Sequence, residues 1–543
     1  MTTLNDSVYG YGLVGEQLLT YTGSVVGALS LSGIEPTILS FNDRVHVTAL
    51  IRNVFQRLPA PITLTQYYVH HDNHQIDLGT SSNPRVNLLL KRRAHFLNTH
   101  RNLNKSELFW VIELPKAQHG HWSRDLLQRL FNAVFDNDAK QTLKTELSHR
   151  HHVLVEYKEL KRQLEQLKQV LDDIKLRTSF LSADNHTLRP GGLFGLTKTL
   201  SRLNPDYLYQ DTPPQPERWD RIIPSGQVSS VMIEGTHYLK IDGETPRYAR
   251  IASVTGVGEQ FMPEAAFCSS QPSPVCEEGN YIFTTRFTPL TRAQRSRLLK
   301  SKEQALYREQ MKITDFISGE SGASQIAQRM QSSPKMAGLL DELSRAQNGE
   351  DKLGTFSATI VLFNTDIHQL NEQVLRLSRV LEEAQFHLIW ESIGLLDAYQ
   401  SIQIGYPKST LRQFEVNTTQ AAALSLLYRG SEGIPKWQHG NQWVDSLYVL
   451  ESDDGLPFHY TPFVGDKCLV IGVGPTRSGK TFLKNCIATH FQKLDGMYYA
   501  LDIDPGSEPI APFFSSLIRP PQKGLTLLPW QSMSMMMRLK PIF

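Results

Sequence analysis

The stretch that most limits how this chain can fold is "VGPTRSGKTFLKN" at 473–485. Gly474, Gly479, Lys480 and Thr481 satisfy the spacing G-x-x-x-x-G-K-[ST], a loop that belongs between a strand and a helix. The glycines let the backbone curl until successive N–H groups converge on one point. Those groups, with the N-terminus of the following helix, cradle phosphate oxygens. Lys480 adds a point charge for the outer phosphates, and the Thr481 hydroxyl is the expected ligand of Mg2+. Pro475, Thr476, Arg477 and Ser478 supply the loop backbone between them. The expected binding residues are therefore Gly474 through Thr481, with ATP and Mg2+ as the groups bound.

The flanks carry matching signals. "KCLVIGV" (467–473) predicts a buried strand feeding the loop, and "TFLKNCIATHFQKL" (481–494) predicts a helix with apolar Phe482, Leu483, Cys486, Ile487 and Phe491. "MYYALDIDPGSEPI" (497–510) predicts a second buried strand closing on Asp502. A strand ending in Asp is one form of Walker B. Here only a helix and a return separate it from Thr481, so it reads as the next strand of the same sheet. Its carboxyl end puts Asp502 near the nucleotide, where ligands gather in open α/β sheets.

Upstream, the pattern is mixed α/β. "TILSFNDRVHVTALIRNVFQRL" predicts a strand and then a helix, with Val47, Leu50, Val54 and Leu58 on one face. "ITLTQYYVHH" and "SELFWVIELP" predict strands, the second stopped by Pro115, and "NPRVNLLLKRRAHFLNTH" predicts a helix. The clearest periodicity lies at 150–176. Tyr157, Leu160, Leu164, Leu167, Leu171 and Ile174 step by threes and fours, a long amphipathic helix that packs on its own domain or meets a partner. "RPGGLFG" and "DTPPQPERWD" punctuate the chain. Strand-like runs follow in "QVSSVMIEG", "HYLKIDG", "RYARIASV" and "GNYIFTTRF", then a helix in "SRLLKSKEQALYREQMKITDFI" and a joint in "SGESGAS". "FSATIVLFN" predicts a buried strand, and "DIHQLNEQVLRLSRVLEEAQ" predicts a helix with Asp366 as N-cap. The regions read as 1–210, 211–440 and 441–543.

A net charge of +2 commits the chain to neither nucleic acid nor an acidic membrane. Cys268, Cys276, Cys468 and Cys486 form no CxxC pair, which argues against a zinc site and a disulfide framework. No secretory signal and no apolar run long enough to span a bilayer is visible. His70, His71 and His74, and likewise His149, His151 and His152, read as solvated histidine-rich surface rather than metal ligands. Lys91, Arg92 and Arg93 read as an exposed helix face rather than a nucleic-acid or lipid contact. No G-x-S-x-G elbow supports a serine hydrolase.

With these residues in view, the sequence resembles the CagE/TrbE/VirB class of conjugation and type IV secretion ATPases. "GPTRSGKTFLKN" and "YYALDIDPGSEP" carry the likeness, the latter resembling the class pattern F-D-K-D-x-G-x-E. "FSATIVLFNTDIHQLNEQVLRL" and "RYARIASV…NYIFTTRFTPLTRAQ" resemble its N-terminal domain. The resemblance implies a mixed α+β N-terminal domain followed by the start of a RecA-like P-loop NTPase domain. It implies ATP-driven pilus assembly and substrate transfer, a hexamer, inner-membrane channel components as partners, and a place in the bacterial cytoplasm at the inner membrane. Arg477 stands where the class usually has Gly; coupling proteins of the same systems show a similar "PTRSGKG", so a DNA-handling coupling protein is the alternative. Family motor domains continue for several hundred residues beyond the loop helix. The expectation is an incomplete NTPase domain, with no Walker B Asp-Glu, arginine finger or Gln sensor, that binds ATP and is deficient in hydrolysis, or else a docking fragment without catalysis.

Overall fold

In the computed structural model, which describes residues 2–116, 151–258, 279–304, 351–494, 498–502, 510, 517–519 and 535–539 with short interruptions, most apolar runs become strands of one sheet. The chain divides into two compact units, Met1–His71 with Ser106–Arg429, and Asp72–Lys105 with Gly430–Phe543. The second unit thus joins an early excursion to the C-terminal stretch, and this division cuts across the three regions drawn from sequence punctuation.

The chain opens with β1 (Gly10–Val14), β2 (Gln17–Thr20) and β3 (Val25–Leu31), then α1 (Phe41–Arg57) and β4 (Thr63–His71). Helix α2 (Pro84–His100) lies in the second unit, and β5 (Lys105–Leu114) returns to the sheet. Helices α3 (His151–Arg177) and α4 (Pro190–Arg202) precede β6 (Gln227–Ile233), β7 (Thr236–Ile241), β8 (Arg247–Val257), β9 (Asn280–Pro289) and β10 (Leu353–Asn364). Then come α5 (Ile367–Glu383), β11 (Phe386–Trp390), α6 (Leu395–Ser401), β12 (Phe414–Asn417) and α7 (Thr418–Ala423).

Among the described residues these strands form a 14-stranded sheet in the order β6-β7-β8-β10-β9-β4-β5-β3-β2-β1, with shorter strands at its margins. Pairing at its centre is antiparallel: Ile251 faces Val361, and Phe283 faces both Ile360 and Tyr68. Successive side chains of a strand point to opposite faces, and here both faces are covered. Val25, Leu29, Tyr68, Leu108, Trp110 and Ile112 enter one core with residues of α1, α3 and α5. Val26, Ala28, Tyr67, Val69, Phe109 and Val111 enter the other with residues of α4 and α6. The strands therefore read as apolar runs, because neither face meets water.

Several expectations change in this setting. The predicted strand in "TILS" is a 3-10 turn over Pro36–Ile38, since Pro36 lacks the N–H a ladder needs. Helix α1 follows, fixed by a capping box in which Ser40 Oγ accepts from the Asp43 N–H at 3.3 Å and Asp43 accepts from the Ser40 N–H at 3.0 Å. The open choice for the long helix resolves toward internal packing. Leu160, Leu167, Leu171 and Ile174 of α3 are buried in the core of its own unit, and Gln17 Nε2 donates to Leu164 O at 3.3 Å. Asp366 caps α5 as expected, accepting from the His368 N–H at 2.8 Å. His70 and His71 are not solvated: strand β4 is buried on both faces, so both rings lie inside. His70 Nδ1 meets Ser106 Oγ at 2.9 Å and stacks on Tyr281, while His71 Nε2 meets Tyr209 OH at 2.8 Å. "SGESGAS", most of the 296–317 helix, Cys268, Cys276 and the side chains of His149, His151 and His152 lie outside the described residues.

The second unit holds two hairpins, β13 (Lys436–His439) with β14 (Gln442–Asp445) and β15 (Tyr448–Glu451) with β16 (Pro457–Tyr460). Helix α8 (Lys480–Phe491) follows, then the strands β17 (Tyr498–Asp502), β18 (Leu517–Arg519) and β19 (Met535–Leu539). A small core of Ile76, Leu97, Leu103 and Val449 ties the early excursion to β15.

Candidate phosphate-loop site

Residues 475–479 turn sharply into the N-terminus of α8. The Ser478 N–H donates to Pro475 O at 3.3 Å, and the Leu483 N–H opens the helical ladder on Gly479 O at 2.9 Å. Gly479 takes φ +85°, a left-handed conformation that glycine adopts without steric cost. Gly474 has a close side-chain neighbour instead. A Cβ there would lie 2.7 Å from Ser478 Oγ. The Lys480 ammonium folds back over the loop and donates to Gly474 O and Pro475 O, each at 2.6 Å. Thr481 is exposed in the first turn of α8. The free N–H groups of that turn, the Lys480 ammonium and the Thr481 hydroxyl therefore share one end of one helix, a donor set suited to a polyphosphate and its metal. Arg477 also sits left-handed, at φ +66°. That is the conformation glycine favours, so the usual Gly of the class at this position has a backbone reason.

Among the described residues, the strand expected before the loop does not form. Residues 468–474 are described, and they pair with no strand. Leu469, Ile471 and Val473 are 86%, 76% and 91% exposed, and Phe482 at the start of α8 is 73% exposed. A strand is held by its neighbours' hydrogen bonds, and an interior parallel strand needs one on each edge. Apolar composition alone supplies neither. The second expected strand does form, as β17, and it does end at Asp502. It pairs antiparallel with β19, Tyr498 opposite Leu539, in a separate three-stranded sheet. Asp502 is thus not carried beside the loop by a strand shared with 468–474.

The far end of α8 is held by residues that the motif does not mention. His490 is buried and packs edge-on against Tyr448, with ring centroids 4.6 Å apart. The Arg93 guanidinium lies 5.0 Å from the same Tyr448 ring and donates to Val449 O at 2.9 Å. Arg93 is therefore a packing residue of its unit, while Lys91 and Arg92 are exposed as expected. Lys493 donates to Ser446 O. Burial pushes the His490 imidazole down to about 4 and lowers the Lys493 ammonium. These contacts join positions far apart in the chain, so no local pattern announces them.

Among the described residues no group of three or more His, Cys, Asp or Glu could hold a metal ion, and no helix is long and apolar enough to cross a membrane. No protein-family profile matches the chain. Curated proteins do. The chain is a relative of the VirB4/TrbE conjugal transfer proteins. It is 25% identical over 231 residues to protein VirB4 of Agrobacterium fabrum, 42% of this chain and 26% of that protein. It is 26% identical over 159 residues to conjugal transfer protein TrbE of Rhizobium radiobacter, 29% of this chain and 19% of that one. With the type IV secretion system protein VirB4 of Bartonella henselae the figure is 24% over 176 residues, 32% and 22% of the two chains. The matched region is thus about a quarter or less of the length of these relatives.

Proposed function

We propose that this chain is an energy-coupling subunit of a conjugative transfer or type IV secretion machine, binding MgATP through Gly474 to Thr481. The observation that carries the reading is the Lys480 ammonium held over a glycine-turned loop at the N-terminus of α8. Kinship with VirB4 and TrbE supports the cellular role. On this reading the loop N–H groups and Lys480 bind the phosphates, and Thr481 holds the Mg2+ that neutralises their charge. A RecA-like NTPase domain, hexameric assembly, docking to inner-membrane channel components and Asp502 as a further carboxylate for the metal's waters belong to the same proposal.

Binding and turnover separate here. Phosphoryl transfer depends on groups held rigidly around the phosphate, and residues 468–474 leave the loop unbraced by a sheet. We therefore expect this chain to bind MgATP with little hydrolysis of its own; a docking fragment without catalysis and a DNA-handling coupling protein remain the alternative readings. The test is MgATP titration of the purified chain alongside phosphate release, with Lys480→Ala as control. Binding lost in the variant, with no phosphate release, is the expected result. Lys480-dependent turnover overturns the separation, and binding that is unchanged in Lys480→Ala overturns the site.

A further inference from the structure

Helix α2, in the second unit, stands in a stretch that carries cations and no anions. Between Asp77 and Glu107 the sequence holds Arg85, Lys91, Arg92, Arg93, Arg101 and Lys105, and neither Asp nor Glu. A solvated helix face gains from opposite charges three or four residues apart, and like charges cost a similar amount. α2 forgoes that gain. The structure sorts its cations. Arg93 turns inward to Val449 O and the Tyr448 ring, and Arg101 pairs with Glu451 at 3.1 Å. Lys91 and Arg92 are exposed and make no hydrogen bond or ion pair with any described residue.

These two cations begin two rows on the outer face of α2, set by the four-residue spacing of helical neighbours. One row runs Lys91, His95 and Thr99, the other Arg92, Phe96 and His100. The second row is aromatic. His100 stacks on Phe96, with ring centroids 5.4 Å apart and planes 13° from parallel. The Arg101 guanidinium lies 5.6 Å from the same Phe96 ring. Phe96 is still 39% exposed, and His100 is exposed. Two uncompensated cations thus stand one helical turn from a short stack of rings that solvent reaches.

That combination selects among polyanions. Charge alone would serve a phosphate chain and an acidic lipid surface equally. A helix that lies on a bilayer, however, turns a broad apolar face to the lipid. The apolar face of α2, Val86, Leu90 and Leu97, is already buried in the protein. Its outer face is Lys91, Arg92, His95 and Thr99, with Leu88 and Phe96 as the exposed large apolar side chains. Flat rings beside cations match single-stranded nucleic acid instead, whose bases stack on aromatic side chains while its phosphates meet Lys and Arg. In a duplex the bases are paired and inside, so the ring stack would go unused. Lys91, Arg92 and Arg93 alone are only a basic cluster; the rings beside them select for bases.

We propose that the outer face of α2 binds single-stranded nucleic acid, with Lys91 and Arg92 on phosphates and a base against the Phe96–His100 stack. The proposal does not depend on nucleotide binding at the phosphate loop. The probe is a short dye-labelled oligodeoxythymidylate, titrated with the full chain by fluorescence anisotropy at several salt concentrations. Lys91→Ala and Arg92→Ala should each weaken binding and lower the salt slope by about 0.7. Phe96→Leu, which keeps an apolar side chain, should weaken binding about fivefold or more with the slope unchanged, and Phe96→Trp should retain it. Heparin, a polyanion without bases, should bind wild type and Phe96→Leu alike, and a duplex of the same length should bind less tightly than the single strand. No oligonucleotide binding, affinity unchanged in Lys91→Ala and Arg92→Ala, tighter binding of the duplex, or equal losses for oligonucleotide and heparin in Phe96→Leu overturns the proposal. Binding to phosphatidylglycerol vesicles without binding to the oligonucleotide also overturns it and would assign this face to a lipid surface.

Discussion

Strand β10 and residues 468–474 are nearly the same kind of sequence with opposite fates. "FSATIVLFN" lies between β8 and β9, paired on both sides, with Ile360, Val361, Leu362 and Phe363 all buried. "CLVIGVG" pairs with no strand among the described residues and shows Leu469, Ile471 and Val473 to solvent. Propensity is alike in the two. What differs is the supply of neighbouring strands, since β propensity mostly measures fit to a surface that other elements provide.

The contrast is sharpest in stability. Trp110, fully buried in the first unit, should cost about 3–5 kcal/mol when changed to Ala. Ile471→Ala should stay within about 0.5 kcal/mol, as for an exposed site. Chemical denaturation of both variants measures the difference, and a cost at Ile471 near that at Trp110 would mean that 468–474 is buried in solution. Hydrogen exchange gives the same comparison without mutation: β10 amides should be protected and those of 468–474 should exchange freely.

A second contrast lies within α8, whose first turn is exposed while its last is buried. His490 has a folded pKa of about 4 against an ordinary value of 6.5. The unfolded chain therefore binds more protons between those values, and stability falls as pH drops from 6.5 toward 4. The contribution is roughly 3 kcal/mol at most. Urea denaturation of the second unit from pH 7 to pH 4.5, followed by Tyr448 and tryptophan fluorescence, should show this slope, and His490→Phe should flatten it. An unchanged slope would mean that His490 is protonated as readily in the folded chain.

Capping is a smaller effect and belongs to the well-supported side of the comparison. Asp366→Ala removes the acceptor for the His368 N–H at the start of α5 and should cost about 1 kcal/mol. Thermal unfolding decides it, and Asp366→Asn should retain most of the stability.

How much was legible follows from the range of each signal. The α1, α2, α3 and α5 helices and strands β4 to β10 are written in local periodicity, and the Asp366 cap in the residue at one position. The phosphate-loop turn was legible because glycine placement and Lys480 act within eight residues. The burial of His70 and His71 was not, because it depends on helices that cover the second face of β4. The assembly of Asp72–Lys105 with the C-terminal stretch was hidden for the same reason: Arg93 and Tyr448 meet across the chain. The strand expected at 467–473 does not form over the described residues 468–473, because a local pattern cannot supply partners that are not local.

Arg477 tests the finest part of the loop. Its φ of +66° costs an L-residue about 1–2 kcal/mol, and glycine removes that strain. Glycine also gives the unfolded chain more freedom, worth about 0.5–1 kcal/mol against folding. Arg477→Gly should therefore leave global stability unchanged or raise it by up to about 1.5 kcal/mol, while Arg477→Val, β-branched and intolerant of positive φ, should disturb the loop. MgATP affinity reads the loop directly. If the left-handed turn shapes the cradle, affinity should be kept or improved in Arg477→Gly and weakened in Arg477→Val. Equal weakening in both would instead assign the effect to the lost guanidinium, making Arg477 a phosphate contact rather than a residue tolerated at a glycine position.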